Sequence, residues 1–137
     1  MTEFELAQLE YMVYAREQGL IGLMQTQAGL VANDLALWTG VLFGYLLVAY
    51  FVGSQLTKVQ AAILNALYLA VSGASVFSLL TGGLTIVGFA NQYAMVSGNE
   101  KIATVSPEYT FFGIALNIAC IVASLYFMWS VRHPKAE

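Results

Sequence analysis

Three long stretches of this 137-residue sequence contain no charged side chain, and they limit the possible folds more than any other feature. They cover residues 35–57, 59–99 and 109–131. Each is long enough, at about 1.5 Å per helical residue, to cross a hydrocarbon core about 30 Å thick. Charged residues make up 9% of the chain, whereas soluble domains carry about 25%. The sequence therefore predicts three membrane-spanning helices, and a soluble all-helical core is the disfavoured alternative.

The fold is predicted to be that of an all-α integral membrane protein. An amphipathic N-terminal helix, residues 1–33, precedes a three-helix transmembrane bundle, residues 34–131. A seven-residue pattern runs along the first helix, in which mainly apolar residues recur in alternating steps of three and four positions. Its members are Leu6, Leu9, Val13, Arg16, Leu20, Leu23, Gln27 and Leu30. Glu3, Glu10 and Glu17 form an acidic stripe beside them, without bases opposite. We expect this helix to lie on the membrane surface or to dock on its own bundle, with an oligomeric coiled coil as the alternative.

Local signals mark the helix ends. Two capping boxes are present, Thr2 with Glu5 and Thr57 with Gln60, and each satisfies free backbone N–H groups. Ser106-Pro107 is typical of a cap followed by a first-turn proline. Asn33 or Asp34 is expected to cap the first span. Gly53 is expected to close that span in a left-handed conformation.

The three spans are expected at residues 35–52, 59–90 and 108–131. A polar loop is expected at residues 91–106 and a short basic tail at residues 132–137. The link between the first two spans is so short that these spans must be antiparallel neighbours.

The second span is longer than a hydrocarbon core is thick. We expect its helix to continue past the membrane or to kink at Gly82-Gly83. A re-entrant loop is disfavoured, because three helices give irregular backbone little cover. Ser97-Gly98-Asn99 is a turn signal, so a small hairpin or an ordered loop is expected in the polar connection.

Small residues recur every four positions in the spans. The predicted helix–helix contacts are Gly40, Gly44, Ala62, Ala66, Ala70, Ala74, Ser78, Gly82, Ala115, Ala119 and Ala123. Small side chains let membrane helices approach closely. The six small residues from Ala62 to Gly82, here called the ladder, wind through about 200° and cannot all face one neighbour. Either the other two spans supply both neighbours, or part of the ladder contacts a second protomer.

Two amides within the spans, Asn65 and Asn117, are predicted to make intramembrane polar contacts. With antiparallel spans, Asn117 is expected nearer Ser78, Thr81 or Thr85 than Asn65. Structural bonding is favoured over substrate or ion binding, because no ionisable group accompanies either amide. Hydroxyl groups in the second span are expected to bond to their own preceding turn, with a wet pore lining as the alternative.

Catalysis finds little support in the sequence. All eight acidic residues lie outside the charge-free stretches, whereas acid–base chemistry needs titratable groups held together. Cys120 lies mid-helix among apolar residues, and His133 follows the last span. A single cysteine and a single histidine exclude a disulfide or a multi-ligand His/Cys site within one chain. We expect no enzymatic activity, no cofactor and no metal, and the net charge of −3 without a basic run disfavours nucleic acid.

Two classes of function remain. The first is a structural or accessory subunit in the lipid bilayer that assembles through small-residue faces, as a homo-oligomer or with a larger membrane protein. The second is an oligomeric pore. Three spans, small-residue faces and a short basic tail resemble phage holins of the three-span type in architecture only.

The few basic residues bear on orientation. Lys58, Arg132 and Lys135 fall on one side of the predicted spans, and Arg16 and Lys101 fall on the other. Under the positive-inside rule this favours an external N-terminus and a cytoplasmic C-terminus. We expect a cell membrane, with a bacterial inner membrane as the first expectation.

Overall fold

The computed structural model describes residues 2–98 and 106–133, and all regular structure within them is helical. The elements are helix α1 (Glu3–Val52), a short 3-10 turn (Gly53–Gln55), helix α2 (Lys58–Ser97) and helix α3 (Pro107–Arg132). All three α-helices are long and apolar enough to cross a membrane. The predictions of an all-helical fold and of three such helices are confirmed.

The predicted helix starts are confirmed by their capping contacts. The Thr2 hydroxyl accepts a hydrogen bond from the Glu5 N–H, while the Glu5 carboxylate accepts one from the Thr2 N–H at 2.7 Å. Thr57 and Gln60 form the same reciprocal pair at the start of α2. Ser106 caps α3, where Pro107 lies in the first turn. The starts of the helices are determined by local sequence, because each capping contact joins residues two or three positions apart.

The predicted boundary at Asn33 or Asp34 is wrong, because α1 runs through both residues without a break. Leu20 and Trp38 are buried on the same face of α1, and Val31 between them contacts α2. The N-terminal segment and the first span therefore share one continuous packing face, and a cap has no role there. Gly53 does end α1, but in a right-handed conformation, not the predicted left-handed one.

Helix α2 extends seven residues beyond the predicted span and ends at Ser97, followed by Gly98 in a left-handed conformation. It passes through Gly82-Gly83 as helix and not as a re-entrant loop. Residues 91–97 are not loop as predicted, because Ala90 and Ala94 are buried and packing extends the helix. The predicted hairpin or ordered loop at residues 99–105 lies outside the described residues.

The structure has two sections, one formed by three helices and one formed by two. Thr110 lies against Gly83, and α3 begins three residues earlier, at Pro107. Residues 87–97 of α2 therefore continue past the start of α3. Residues 17–24 of α1 run antiparallel beside this part of α2, and Leu20 is buried there. We call these two segments the two-helix extension and the remaining part the three-helix section. Residues 2–16 of α1 are exposed throughout.

Gly82-Gly83 is the place where α2 is approached from both sides. A Cβ atom on Gly82 would overlap the Val31 side chain of α1 and lie 3.2 Å from Gln27 Nε2. A Cβ atom on Gly83 would lie 2.5 Å from Thr110 Cγ2 of α3. The two glycines thus permit close approach of α1 and α3 to α2 where the three-helix section ends.

We predict that Gly82→Ala destabilises the fold by about 1–3 kcal/mol, because the added methyl group forces a stiff β-branched neighbour to move. Gly88→Ala, in the same helix, is the matched control. No side chain or other helix of the described chain lies within 4 Å of its Cβ position, and alanine favours helix by up to about 1 kcal/mol. Thermal unfolding of both variants in detergent measures the difference. Equal midpoints would contradict the close approach at Gly82.

Candidate functional site

The interior of the three-helix section is lined by hydroxyl groups of α2. Ser72 and Ser75 are buried, with exposed fractions of 0% and 6%, and Ser78 is half-buried. Three-residue steps place these side chains along one face of the helix. This face meets both neighbouring helices.

Each of these serines bonds to another helix. Trp38 Nε1 of α1 donates to Ser72 Oγ at 3.1 Å. Asn117 Nδ2 of α3 donates to Ser75 Oγ at 3.3 Å, and the Ser78 hydroxyl donates to the Asp34 carboxylate of α1. The expectation that span hydroxyls bond to their own turn is therefore wrong for these three. It is correct for Thr81 and Thr85, which donate to carbonyl groups one turn back in α2.

A tyrosine layer joins all three helices below the serines. Tyr45 of α1 and Tyr68 of α2 stack with ring centroids 4.1 Å apart. The Tyr45 hydroxyl donates to Asn65 Oδ1 at 2.7 Å, and the Ser124 hydroxyl of α3 donates to the Tyr68 hydroxyl at 2.7 Å. Met128 completes the buried cluster around the two rings.

The two amides singled out in the sequence take different positions. Asn65 is half-buried and bonded to Tyr45. Asn117 is 3% exposed and bonds to Ser75. Ser75 is one turn from Ser78, which is one of the residues expected beside Asn117. The Oδ1 atom of Asn117 is buried and has no hydrogen-bond partner among the described residues. Buried polar atoms are normally paired, so this one requires an explanation.

Asp34 is half-buried between α1 and α2, although the sequence predicts a capping role. Its carboxylate faces Ser78, and it lines a cavity of about 180 Å³ together with Trp38, Ser75 and Ser78. The sequence held a usable signal: one further four-residue step of the first-helix pattern reaches position 34.

Most of the small-residue positions predicted as helix contacts face outward. Within the described chain, Gly82 is buried and Ser78 is half-buried. The exposed positions are Gly40, Gly44, Ala62, Ala66, Ala70, Ala74, Ala115, Ala119 and Ala123. Nothing lies within 4 Å of a Cβ built on Gly40 or Gly44. Neighbouring helices of the same chain therefore account for the upper end of the ladder, from Ser78 to Gly82, and leave its four alanines uncovered.

An apolar groove of about 540 Å³ runs between α1 and α3. Phe43, Leu47 and Tyr50 line it from α1, and Cys120 and Ala123 line it from α3. Ala123, one of the predicted contact positions, thus borders an open apolar surface and not a packed intrachain interface.

Large apolar side chains cover the outside of the three-helix section. Phe77 and Phe112 are 68% and 70% exposed, and Leu37 is 64% exposed. The buried polar side chains of this section are Ser72, Ser75, Asn117 and Ser124, and they lie among tyrosine, tryptophan, alanine and methionine side chains. Large apolar side chains exposed on this scale are not typical of a soluble protein, which rarely carries large contiguous apolar patches.

The single cysteine and the single histidine of the chain take separate positions in α3 and just after it. No three His, Cys, Asp or Glu side chains within residues 2–98 and 106–133 come together. Cys120 is half-buried in α3, and His133 is exposed and stacks on Trp129. Comparison with protein-family models, with curated proteins and with solved structures finds no match for this chain.

We predict that Tyr45→Phe lowers stability by about 1 kcal/mol, because the phenylalanine keeps the ring stack but leaves Asn65 without its partner. Tyr50→Phe is the matched control, since Tyr50 lies five residues on in the same helix and is 67% exposed. Thermal unfolding in detergent compares the two variants. A Tyr45→Phe protein as stable as the Tyr50→Phe protein would show that the Tyr45–Asn65 bond contributes nothing.

Proposed function

We propose that the chain spans a membrane three times, with α3 and the adjoining parts of α1 and α2 inside the bilayer. The large apolar side chains exposed on the outside and the hydrogen-bonded polar side chains inside support this proposal. In lipid, exposed apolar side chains need no cover, and buried polar groups bind helices to one another. The 26 residues of α3 give a helix about 39 Å long, which suits a bilayer about 30 Å thick in its core.

The orientation follows from the basic residues. Arg132 Nη2 lies 3.4 Å from the Leu56 carbonyl oxygen, so Arg132 and Lys58 share one end of the three-helix section. Arg16 lies toward the other end, beyond the start of α3. The positive-inside rule then favours a cytoplasmic position for the end with Lys58 and an external N-terminus. Lys101 and Lys135 lie outside the described residues.

We further propose that the protein is a non-catalytic structural or accessory subunit that assembles through its small-residue faces, as a homo-oligomer in the first instance. The observation that carries this proposal is the outward position of Ala62, Ala66, Ala70 and Ala74. Small side chains on a membrane helix permit close approach of a second helix. No helix of the described chain occupies that approach, so a second protomer or a larger membrane protein is the fitting partner.

The alternative of an oligomeric pore has weaker support. A pore between protomers would need polar groups on the outer faces of the spans. Ser72 and Ser75 point inward instead and are already bonded to Trp38 and Asn117. Leakage of a fluorescent dye from vesicles containing the protein would nevertheless establish the pore and replace the subunit proposal.

We predict that Ala70→Leu or Ala74→Leu reduces the oligomer and leaves the fold of the single chain intact, because both positions are exposed within it. The measurement is the mass of the protein–detergent complex by light scattering, with thermal unfolding alongside. Leu69→Ile is the control, since it keeps the volume of an exposed neighbour. A wild-type protein that is monomeric at all concentrations and copurifies with no membrane protein would refute assembly through the ladder.

A further inference from the structure

The face by which α1 packs on α2 continues past the end of α2. Leu6, Val13 and Leu20 lie seven residues apart, which is close to two helical turns, so they share one face of α1. Leu20 is 7% exposed, whereas Val13 is 44% and Leu6 is 45% exposed. The same column of side chains is therefore covered where α2 runs beside it and uncovered beyond that point.

The contacts between α1 and α2 determine the length of the uncovered part. The Trp38–Ser72 hydrogen bond and the close approach of Val31 to Gly82 fix an antiparallel register. In that register the last turn of α2 lies beside residues 13–16 of α1. The helical residues before them extend about 15 Å beyond α2. Helices in proteins draw most of their stability from packing an amphipathic face, so a partner on this face would stabilise it.

The two-helix extension holds this end of α1 away from the bilayer. Residues 87–97 of α2 lie beyond the start of α3 and span about 16 Å. In the membrane position proposed above, which this inference adopts, α3 begins near the bilayer surface. Residues 2–16 of α1, here called the tip, therefore project into water from beyond that height. A lipid surface is out of reach of a helix that continues straight.

Carboxylate groups border the uncovered column. Glu3, Glu10 and Glu17 also lie seven residues apart, so they form a second column beside that of Leu6 and Val13. Each glutamate is three or four positions from apolar residues only. No basic side chain is therefore placed to form an ion pair with these carboxylates within the helix.

These charges distinguish between candidate partners. Two copies in one membrane point their tips in the same direction, so pairing would bring two acidic columns together, and like charges repel. Arg16 is the single basic residue among residues 2–24 and cannot balance them. A helix with Lys or Arg beside its apolar positions would form ion pairs instead, because flanking charges set partner choice in helix pairs.

We propose that the tip is a docking surface for an amphipathic helix of a second protein with basic flanks. Leu6, Leu9 and Val13 supply the apolar seam, and Glu3 and Glu10 supply the acidic margin. The surface does not use the ladder, so it is independent of the proposed assembly. Because the tip has no partner inside the described chain, its length can follow that of the partner without altering the α1–α2 pairing.

The test uses the full chain in nanodiscs of zwitterionic lipid, with empty nanodiscs as the blank. Two fluorescent helical peptides of three heptads each carry leucine at the apolar positions. One carries lysine at the flanking positions and the other carries glutamate. Fluorescence anisotropy measures binding. We expect the Kd of the lysine peptide to be at least about tenfold lower than that of the glutamate peptide, and to rise with salt because salt screens exposed charges.

Variants locate the binding on the tip. Glu10→Lys should raise the Kd of the lysine peptide by about tenfold and lower that of the glutamate peptide. Leu9→Ala should weaken binding of the lysine peptide through loss of the seam. Tyr11→Ala is the matched control, because Tyr11 is 73% exposed and lies on the opposite side of α1 from Leu9. Thermal unfolding verifies that each variant is folded.

Three results would overturn the proposal. The first is equal affinity of the two peptides, or no binding of either, for the wild-type chain. The second is an equal loss of binding in Glu10→Lys and Tyr11→Ala. The third is an oligomer mass that falls in Leu9→Ala, which would assign the tip to a second copy. Assembly through the ladder is measured by the mass of Ala70→Leu and Ala74→Leu, so its failure is distinguishable from failure here.

Discussion

Hydrogen bonds between helices are the interaction on which this architecture depends. If the three-helix section lies in a bilayer as proposed, apolar contacts gain little over lipid and contribute less to holding the helices together than they would in water. The serine face of α2 supplies the hydrogen bonds, through Trp38 and Asp34 on one side and Asn117 on the other. Each such bond contributes about 0.6–2 kcal/mol in membrane helices. Several in succession also fix the register of the helices.

A different kind of packing holds the two-helix extension. There Leu20, Ala90 and Ala94 are buried, and none of them brings a side-chain hydrogen-bonding group. If the extension projects from the bilayer as proposed, apolar burial in water stabilises it by about 25 cal/mol per Å². The same two helices are therefore held by polar bonds along one part and by the hydrophobic effect along the other.

The sequence predicted those features that short-range chemistry determines. Both capping boxes, the start of α3 at Pro107 and the three apolar helices follow from a few adjacent residues or from composition. The continuity of α1 through Asp34 could not be read from the same evidence, because Asn and Asp also initiate helices and only packing on α2 excludes that role. For the same reason, the predicted end of the second span lies seven residues before the observed end of α2.

The candidate site shows a second limit of sequence analysis. Small residues indicate that a close approach is sterically possible, but they do not say which helix makes it. Gly82 lies against Val31 of the same chain, whereas Ala66 and Ala70 of the same ladder are exposed. Polar residues raise the same difficulty, because the sequence does not say which group a polar side chain will bond to. Asn117 was recognisable as a bonded amide, but its partner depended on the antiparallel register of α2 and α3.

The antiparallel register also determines where this chain can change in length. One residue inserted between Asp34 and Trp38 would rotate one of the two by about 100° and remove it from the serine face. Seven inserted residues would nearly restore the phase, since they complete about two turns. In residues 2–16, which extend past the end of α2, an insertion alters no pairing at all. Insertions and deletions among related chains should therefore concentrate at that tip and in the connections, and the segment from Val31 to Tyr45 should keep a constant length.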